Sequence, residues 1–270
     1  TLRANDVFEL VINGAPVVTT EIPDYNRNAG FGNIYIDLNN YFEDPESDPL
    51  TYSASSNNTG VITTTINGSI LRIIEVSHGT AQVTVTASDG STLEAQDVFA
   101  VNVNGAPVVA APLADVSLDE GFGTSTVDVT GVFSDPENDP LSYTVSSNNP
   151  GVVQVSVLDS TITITEVAIG TASVTVTASD GSLSAQDVFA VNVNGGPVVA
   201  AGISNRNYRE GFGTADFSLA GAFSDPEGDP LSYTAESADE IIVTVEVTGD
   251  VLTITEAGPG NTIVTVTASD

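Results

Sequence analysis

The sequence predicts an all-β protein made of three tandem sandwich repeats of about 90 residues, and three observations predict it. The first is self-similarity. Asn13-Gly-Ala-Pro-Val-Val returns at Asn104 and, as Asn-Gly-Gly-Pro-Val-Val, at Asn194, so the offsets are 91 and then 90 residues. Phe42 to Tyr52 returns as Phe133 to Tyr143 and as Phe223 to Tyr233, and the run Val83 to Asp89 returns ending at Asp180 and at Asp270. The second is a period of two within each repeat, as where Val153, Val155 and Val157 alternate with polar residues before Ile162 and Ile164 resume. The third is composition: Val, Thr, Ile and Ser dominate, which suits a pleated, half-buried surface, and no stretch reads as a helix. A unit of this length has the size of an immunoglobulin-like sandwich and is too long for a solenoid coil.

Taken in order, Leu2 to Ile12 align with Leu93 to Val103 and, after a one-residue adjustment, with Leu183 to Val193, so that Asp6, Asp97 and Asp187 coincide, as do Phe8, Phe99 and Phe189. That segment reads as the final strand of a preceding or neighbouring repeat. Repeat 1 covers 13–103 and repeat 2 covers 104–193. Repeat 3 covers 194–270 and lacks its own last strand. The central hairpin is expected to turn at Asn67-Gly68, at Leu158 to Ser160 and at Gly249-Asp250, with about seven strands per repeat. Nine of the ten Phe sit at equivalent positions (Phe8, Phe99, Phe189; Phe31, Phe122, Phe212; Phe42, Phe133, Phe223), which marks them as core plugs. Each contributes about 1.5–3 kcal/mol when buried. Tyr52, Tyr143 and Tyr233 read as core-edge residues. The linkers hold only Asn-Gly-Ala-Pro or Asn-Gly-Gly-Pro; Pro fixes φ, Gly permits the turn, and the absence of a flexible spacer predicts stiff end-to-end coupling.

The charge balance narrows the partners. The chain has 36 acidic residues against five Arg and no Lys, a net charge of −31, which repels nucleic acid and anionic membranes. No run of about 18 apolar residues is present, so membrane insertion is not expected. The lack of Cys removes disulfides, and the lack of Lys removes a Lys–Asn isopeptide crosslink. The start at Thr1 and the absence of Met and of a signal peptide read as a processed chain or an excerpt.

Catalysis finds little footing. His78 is the only His, beside Gly79, and reads as an exposed loop residue, so no Ser-His-Asp set recurs across the repeats. Carboxylate pairs suit a glycosidase, yet the same acidic set stands in every repeat, and enzymes rarely carry one site three times in series. Gly121-Phe-Gly123 after Asp119-Glu120 reads as a tight turn, without the helix a phosphate site needs. The acidic loops invite a different reading. Asp135, Glu137 and Asp139 crowd three carboxylates into five residues, as do Asp225, Glu227 and Asp229. Two carboxylates about 5 Å apart repel by about 3 kcal/mol at an effective dielectric near 20. Hard oxygen ligands fit calcium, while Asp, Asn and Pro equally favour a solvated turn, so both readings stand.

Phe133-Ser-Asp-Pro-Glu-Asn-Asp-Pro-Leu-Ser-Tyr143, Val174-Thr-Val-Thr-Ala-Ser-Asp-Gly181 and Asp187 to Asn194 running into Pro197 together resemble the cadherin-like repeats of bacterial surface proteins, including the dystroglycan-type subgroup. The resemblance covers essentially the whole chain, three times over. It implies a Greek-key sandwich, tandem extracellular arrays, an adhesion or stalk role, and calcium at domain junctions. The calcium ligands it implies are Asp44 and Glu46, Asp135 and Glu137, and Asp225 and Glu227 after the second strand. To these it adds Glu75, Glu166 and Glu256, then Asp89, Asp180 and Asp270, and the early Glu120 and Glu210. Repeat 1 departs with Ala29 at the early position, and the linkers carry Asn-Val-Asn-Gly where calcium-binding cadherins have two acidic residues. The junction between repeats 2 and 3 is therefore expected to be better supplied than that between repeats 1 and 2.

Three functions follow. The leading one is a non-enzymatic subunit or segment of an extracellular filament or surface stalk, with copies joined head to tail by β-strand complementation. The alternative is an adhesin module that binds a glycan or protein through loops of repeat 1, where Tyr25, Arg27, Tyr35 and Tyr41 diverge from the other repeats. The third is an accessory array of a secreted enzyme.

Overall fold

Alternating apolar and polar residues form strands along the whole chain in the computed structural model, which describes residues 3–10 and 12–270. Repeat 1 runs β1 (Val17–Val18), β2 (Tyr25–Asn28), β3 (Asn33–Asp37), a single 3-10 turn at Leu38–Asn40, β4 (Phe42–Glu43), β5 (Thr51–Ser56), β6 (Ile62–Asn67), β7 (Ile70–Glu75), β8 (Gly79–Ser88) and β9 (Glu94–Asn104). Repeat 2 runs β10 (Val108–Val109), β11 (Val116–Asp119), β12 (Thr124–Asp128), β13 (Phe133–Ser134), β14 (Ser142–Ser147), β15 (Val153–Leu158), β16 (Thr161–Glu166), β17 (Gly170–Ser179) and β18 (Ser184–Asn194). Repeat 3 runs β19 (Val198–Val199), β20 (Thr214–Ser218), β21 (Phe223–Ser224), β22 (Ser232–Ser237), β23 (Val243–Thr248), β24 (Val251–Glu256) and β25 (Val264–Ser269). The chain is thus all-β, with three immunoglobulin-like repeats. The expected seven strands become nine in each of the first two repeats, because short edge segments such as β2 and β11 also pair.

The fold divides into two compact units. The first holds Thr1–Pro112, Gly131–Tyr143 and Thr177–Gln186; the second holds Leu113–Thr130, Thr144–Val176 and Asp187–Asp270. In the first unit a four-stranded sheet of order β2-β9-β8-β5 faces a three-stranded sheet of order β3-β7-β6. Their inner faces bury Ile36, Ile62, Leu71, Ile73, Val83, Val85, Phe99 and Val101. The period-two pattern is the cause: β8 alternates so that Ala81, Val83, Val85 and Ala87 all point into the core. β2 runs parallel to β9, from Tyr25 opposite Val101 to Asn28 opposite Asn104. A reciprocal pair of carboxylates starts that ladder. The Ile22 N–H donates to Asp97 Oδ2 (2.7 Å), and the Ala100 N–H donates to Asp24 Oδ1 (2.7 Å).

The second unit repeats this plan. β11 runs parallel to β18, and the Leu113 and Ala190 N–H groups donate to Asp187 and Asp115 at 2.7 Å each. β12, β16 and β15 form the opposing sheet. In repeat 3 the β20-β24-β23 sheet is complete, but β22 and β25 pair only with each other.

Two expectations need correction. The hairpin of repeat 1 turns at Gly68-Ser69, not Asn67-Gly68. Asn67 still pairs with Ile70 and closes β6, and the positive φ (61°) falls on Gly68, where an absent Cβ makes it cheap. The turn of repeat 2 likewise narrows from Leu158–Ser160 to Asp159-Ser160, because Leu158 pairs with Thr161 and closes β15, while that at Gly249-Asp250 stands as expected. Phe8 is not a core plug. It is 82% exposed, whereas Phe99 and Phe189 are buried, because no sheet of the described residues receives it. Residues 3–10 and 12 form no strand. Thr1, Leu2 and Val11, which the expected final strand includes, lie outside the described residues.

Candidate functional site at the repeat junctions

The acidic residues singled out by the sequence lie near the junctions, and most are occupied as hydrogen-bond acceptors. Each linker Asn-Gly is fastened to the repeat that follows it. Asn104 ends β9, where its carbonyl accepts from the Ala29 N–H (2.8 Å), while its side-chain Nδ2 donates to Asp180 Oδ2 (2.9 Å). The next N–H, that of Gly105, donates to Glu137 Oε2 (2.8 Å). The same pair of bonds recurs at Asn13 with Asp89 (2.7 Å) and Gly14 with Glu46 (2.9 Å), and at Asn194 with Asp270 (2.6 Å) and Gly195 with Glu227 (3.1 Å). One residue therefore holds the sheet edge on one side and a loop carboxylate on the other.

The linker glycine serves close approach rather than a turn. A Cβ on Gly105 would meet Glu137 Oε2 at 3.0 Å and His78 Cγ at 3.0 Å. On Gly195 it would meet Glu227 Oε2 and Ile169 Cδ1, each at 3.0 Å. Neither glycine has a positive φ. The expectation that Gly permits the turn is corrected on that ground.

The remaining carboxylates have local tasks. Glu75 accepts the N–H groups of Gly30 and Gly32, Glu166 those of Gly121 and Gly123, and Glu256 those of Gly211 and Gly213. Each glutamate closes the tight Gly-Phe-Gly turn, and these paired donors hold Glu166 and Glu256 below the usual carboxylate range. Asp89 is lowered by the hydroxyl and N–H of Ser91 and by Asn13, and Asp180 by the Leu183 N–H and Asn104. Asp44, Asp135 and Asp225 turn one oxygen onto their own loop. Asp135 Oδ1 accepts from the Glu137 and Asp139 N–H groups, and the other two do the same with Glu46 and Asp48, and with Glu227 and Asp229. Their second oxygens are buried without a partner.

Of the predicted ligands, Asp135, Glu137 and Asp180 belong to the first unit and Glu166 to the second. Among the described residues no group of three or more His, Asp or Glu side chains is gathered closely enough to hold a metal ion. A looser gathering exists in the second unit, where Asp119, Glu120, Asp229 and Asp270 line one crevice beside Asn194. Its counterpart in the first unit carries Asn28 and Arg27 with Glu137 and Asp139. Glu210 stands exposed in repeat 3.

His78 is the residue whose role sequence reasoning missed. It leaves its own repeat, and its Nδ1 lies 2.8 Å from Glu137 Oε1, against the linker. Ile169 occupies the equivalent position of repeat 2, where it lies against Gly195. The Asp24–Asp97 lock was half legible in the coincidence of Asp6, Asp97 and Asp187.

No helix of the described residues is long and apolar enough to cross a membrane. No known protein-family profile matches the chain. Two solved fragments of titin spanning the immunoglobulin domains I67–I69, one an E-to-A variant, superpose with TM-scores of 0.56 and 0.55. Their identities are 10% and 11%, over about 95% of both chains in each case, and they show a shared three-domain immunoglobulin fold. In sequence, an alignment 166 residues long that covers 57% of the chain is 33% identical to Chitinase A of Pseudoalteromonas piscicida and spans 19% of that protein.

Proposed function

We propose that the chain is a non-enzymatic segment of an extracellular filament or surface stalk, in which sandwiches follow one another end to end. The observation that carries this reading is the recurring junction: a linker of four residues whose Asn and Gly are both bonded to the following sandwich. A linker fastened at both ends transmits force and orientation, which a ligand-binding loop does not need. We further read the unpaired edge of repeat 3 as the receiving end for residues 1–12 of a neighbouring copy. Small-angle scattering tests the stalk: an extended particle three sandwiches long is expected, and a compact one refutes it.

Calcium belongs to the same proposal, at the crevice holding Asp119, Glu120, Asp229 and Asp270. Oxygen ligands of this kind suit calcium, and the partnerless buried Oδ2 of Asp225, on the loop that carries Asp229, is the type of acceptor a cation relieves. The fit is partial, because Asp270 is also bonded to Asn194. Isothermal titration of the chain with calcium at 0.1–10 mM brackets the range of extracellular modules, roughly 10⁻⁴–10⁻³ M. Heat that vanishes in Glu120→Gln supports this site. An unchanged melting temperature with and without chelator overturns it.

The likeness to part of a chitinase favours one second reading, a spacer array of a secreted glycan-degrading enzyme. The two readings part on the gene: a catalytic domain encoded in the same polypeptide supports the second, and its absence leaves the stalk.

A further inference from the structure

The outer face of the β3-β7-β6 sheet of repeat 1 carries a different set of side chains from its counterparts in repeats 2 and 3, although the strands pair in the same way. Ile36, Leu71 and Ile73 point into the core, so the residues that alternate with them point outward. Cross-strand pairing sets those outward residues in rows. One row holds Tyr35, Arg72 and Thr65, and the row beside it holds Asn33, Ile74 and Thr63. In repeat 2 the row equivalent to that of Tyr35 is Thr126, Thr163 and Ser156. In repeat 3 it is Asp216, Thr253 and Glu246. Strand formation needs neither an aromatic ring nor a cation at this place, since small polar residues serve in repeat 2.

Two side chains of this row have capacity for a ligand. Tyr35 is 65% exposed. The other residues by which repeat 1 diverges are engaged: Tyr25 and Tyr41 pack against the core, and the Arg27 guanidinium lies over the Tyr25 ring at 5.4 Å. Arg72 stands directly across from Tyr35, and its Nε donates to Asn33 Oδ1 (3.0 Å). That bond fixes the guanidinium on the outer face and leaves its two Nη groups. Among the described residues no carboxylate forms an ion pair with Arg72, in a chain that has 36 acidic residues. A guanidinium held in place, unpaired and next to an open ring complements a ligand that is flat, apolar on one face and carries a single anionic group.

We infer that this face binds a hexuronic acid residue carried on an otherwise neutral glycan. The C–H face of the sugar ring lies on the Tyr35 ring, which offers a flat apolar body with a polar tip. The sugar carboxylate projects from the edge of the same ring toward Arg72, whose two Nη groups match a carboxylate in the paired geometry. Thr65 and the amide nitrogen of Asn33 stand in the same two rows, where they serve the sugar hydroxyls. The ligand has one acidic sugar rather than a run of them. Asp37 follows Tyr35 on the same face of β3, and the net charge of −31 opposes a polyanion. The inference adds a ligand to the stalk reading and does not depend on it.

Heteronuclear NMR of the full chain tests this by titration, at about 0.1–20 mM, with a xylotriose that bears one glucuronate and with plain xylotriose as the neutral control. Amide shifts centred on Tyr35, Arg72 and Thr65 are expected, with the acidic saccharide binding about tenfold more tightly than the neutral one. Arg72→Gln should remove that preference. Tyr35→Ala should abolish binding of both saccharides, while Tyr35→Phe, which keeps the ring, should retain it. Circular dichroism and the melting temperature establish that each variant folds as the wild type does. Added salt should weaken the acidic saccharide and leave the neutral one unaffected. Equal affinity for the two saccharides, or a preference that survives Arg72→Gln, overturns the acidic-sugar assignment. Absence of shifts on this face across the titration, or binding that survives Tyr35→Ala, overturns the site itself.

Discussion

β8 of repeat 1 and β25 of repeat 3 carry nearly the same residues, Val-Thr-Val-Thr-Ala-Ser, yet one lies at the centre of a four-stranded sheet and the other at an edge. The residues common to both strands keep their alternation. What changes is burial and length, and both follow the neighbour rather than the strand's own sequence. The lesson is that a strand's burial depends on the strands beside it, as the parallel edge strands β2 and β11 depend on β9 and β18. The two junctions differ in a parallel way. Glu137 meets His78 and the linker, with Arg27 and Asn28 lining the adjoining crevice, whereas Glu227 meets the linker beside the apolar Ile169, with Asp119 and Glu120 lining its crevice.

The sharpest way to break this comparison is to remove equivalent aromatic rings. Phe99→Ala empties a buried site and should cost about 3–5 kcal/mol in chemical denaturation. Phe8→Ala should leave the monomer's stability unchanged, since its ring is exposed. Equal losses would mean that residues 3–12 already pack in the monomer.

A smaller effect is expected at the carboxylate lock. Asp97→Ala strands the Ile22 N–H and should cost about 1.5–3 kcal/mol, the range of a hydrogen bond to a charged group. Asp6→Ala should cost the monomer nothing. Smaller again is Asn104→Ala, which loses one junction bond and should cost about 1 kcal/mol while loosening the coupling of the linker. Residual dipolar couplings read that loosening directly, and unaltered alignment of both flanking sandwiches would count against the clamp.

The last prediction concerns acid. Glu166 and Glu256 have folded pKa values below their ordinary range because paired Gly N–H groups favour the carboxylate. A depressed pKa stabilises the fold above the unfolded value and is lost as pH falls through the folded one. Stability should therefore decline below the ordinary carboxylate range, about 4.3, and continue to fall beneath it. Falling pH also relieves the repulsion of 31 net negative charges, so the measurement belongs in high salt, where that opposing effect is screened. Glu166→Gln should flatten this decline; an identical acid profile would remove the Gly-Phe-Gly turn from the account.

The repeat length, the all-β class and the core positions were legible because period two and recurrence each constrain the same residues. The acidic positions were legible as special but not in their task. Spacing places Asp135 and Glu137 near a junction, while only the folded loop shows Asp135 capping its own turn and Glu137 reaching the Gly105 N–H. His78 was read as a loop residue, since nothing local reveals that Glu137, 59 positions away, lies against it.

By itself, then, the sequence determined which residues alternate and which segments are equivalent, because those properties are local or periodic. Only the tertiary structure decided that the linker Asn bonds both neighbours and that the linker Gly is a matter of space. Hydrogen-bond partners distant in the chain, and the burial that depends on them, are set by which strands lie side by side. A strand's own residues do not carry that information.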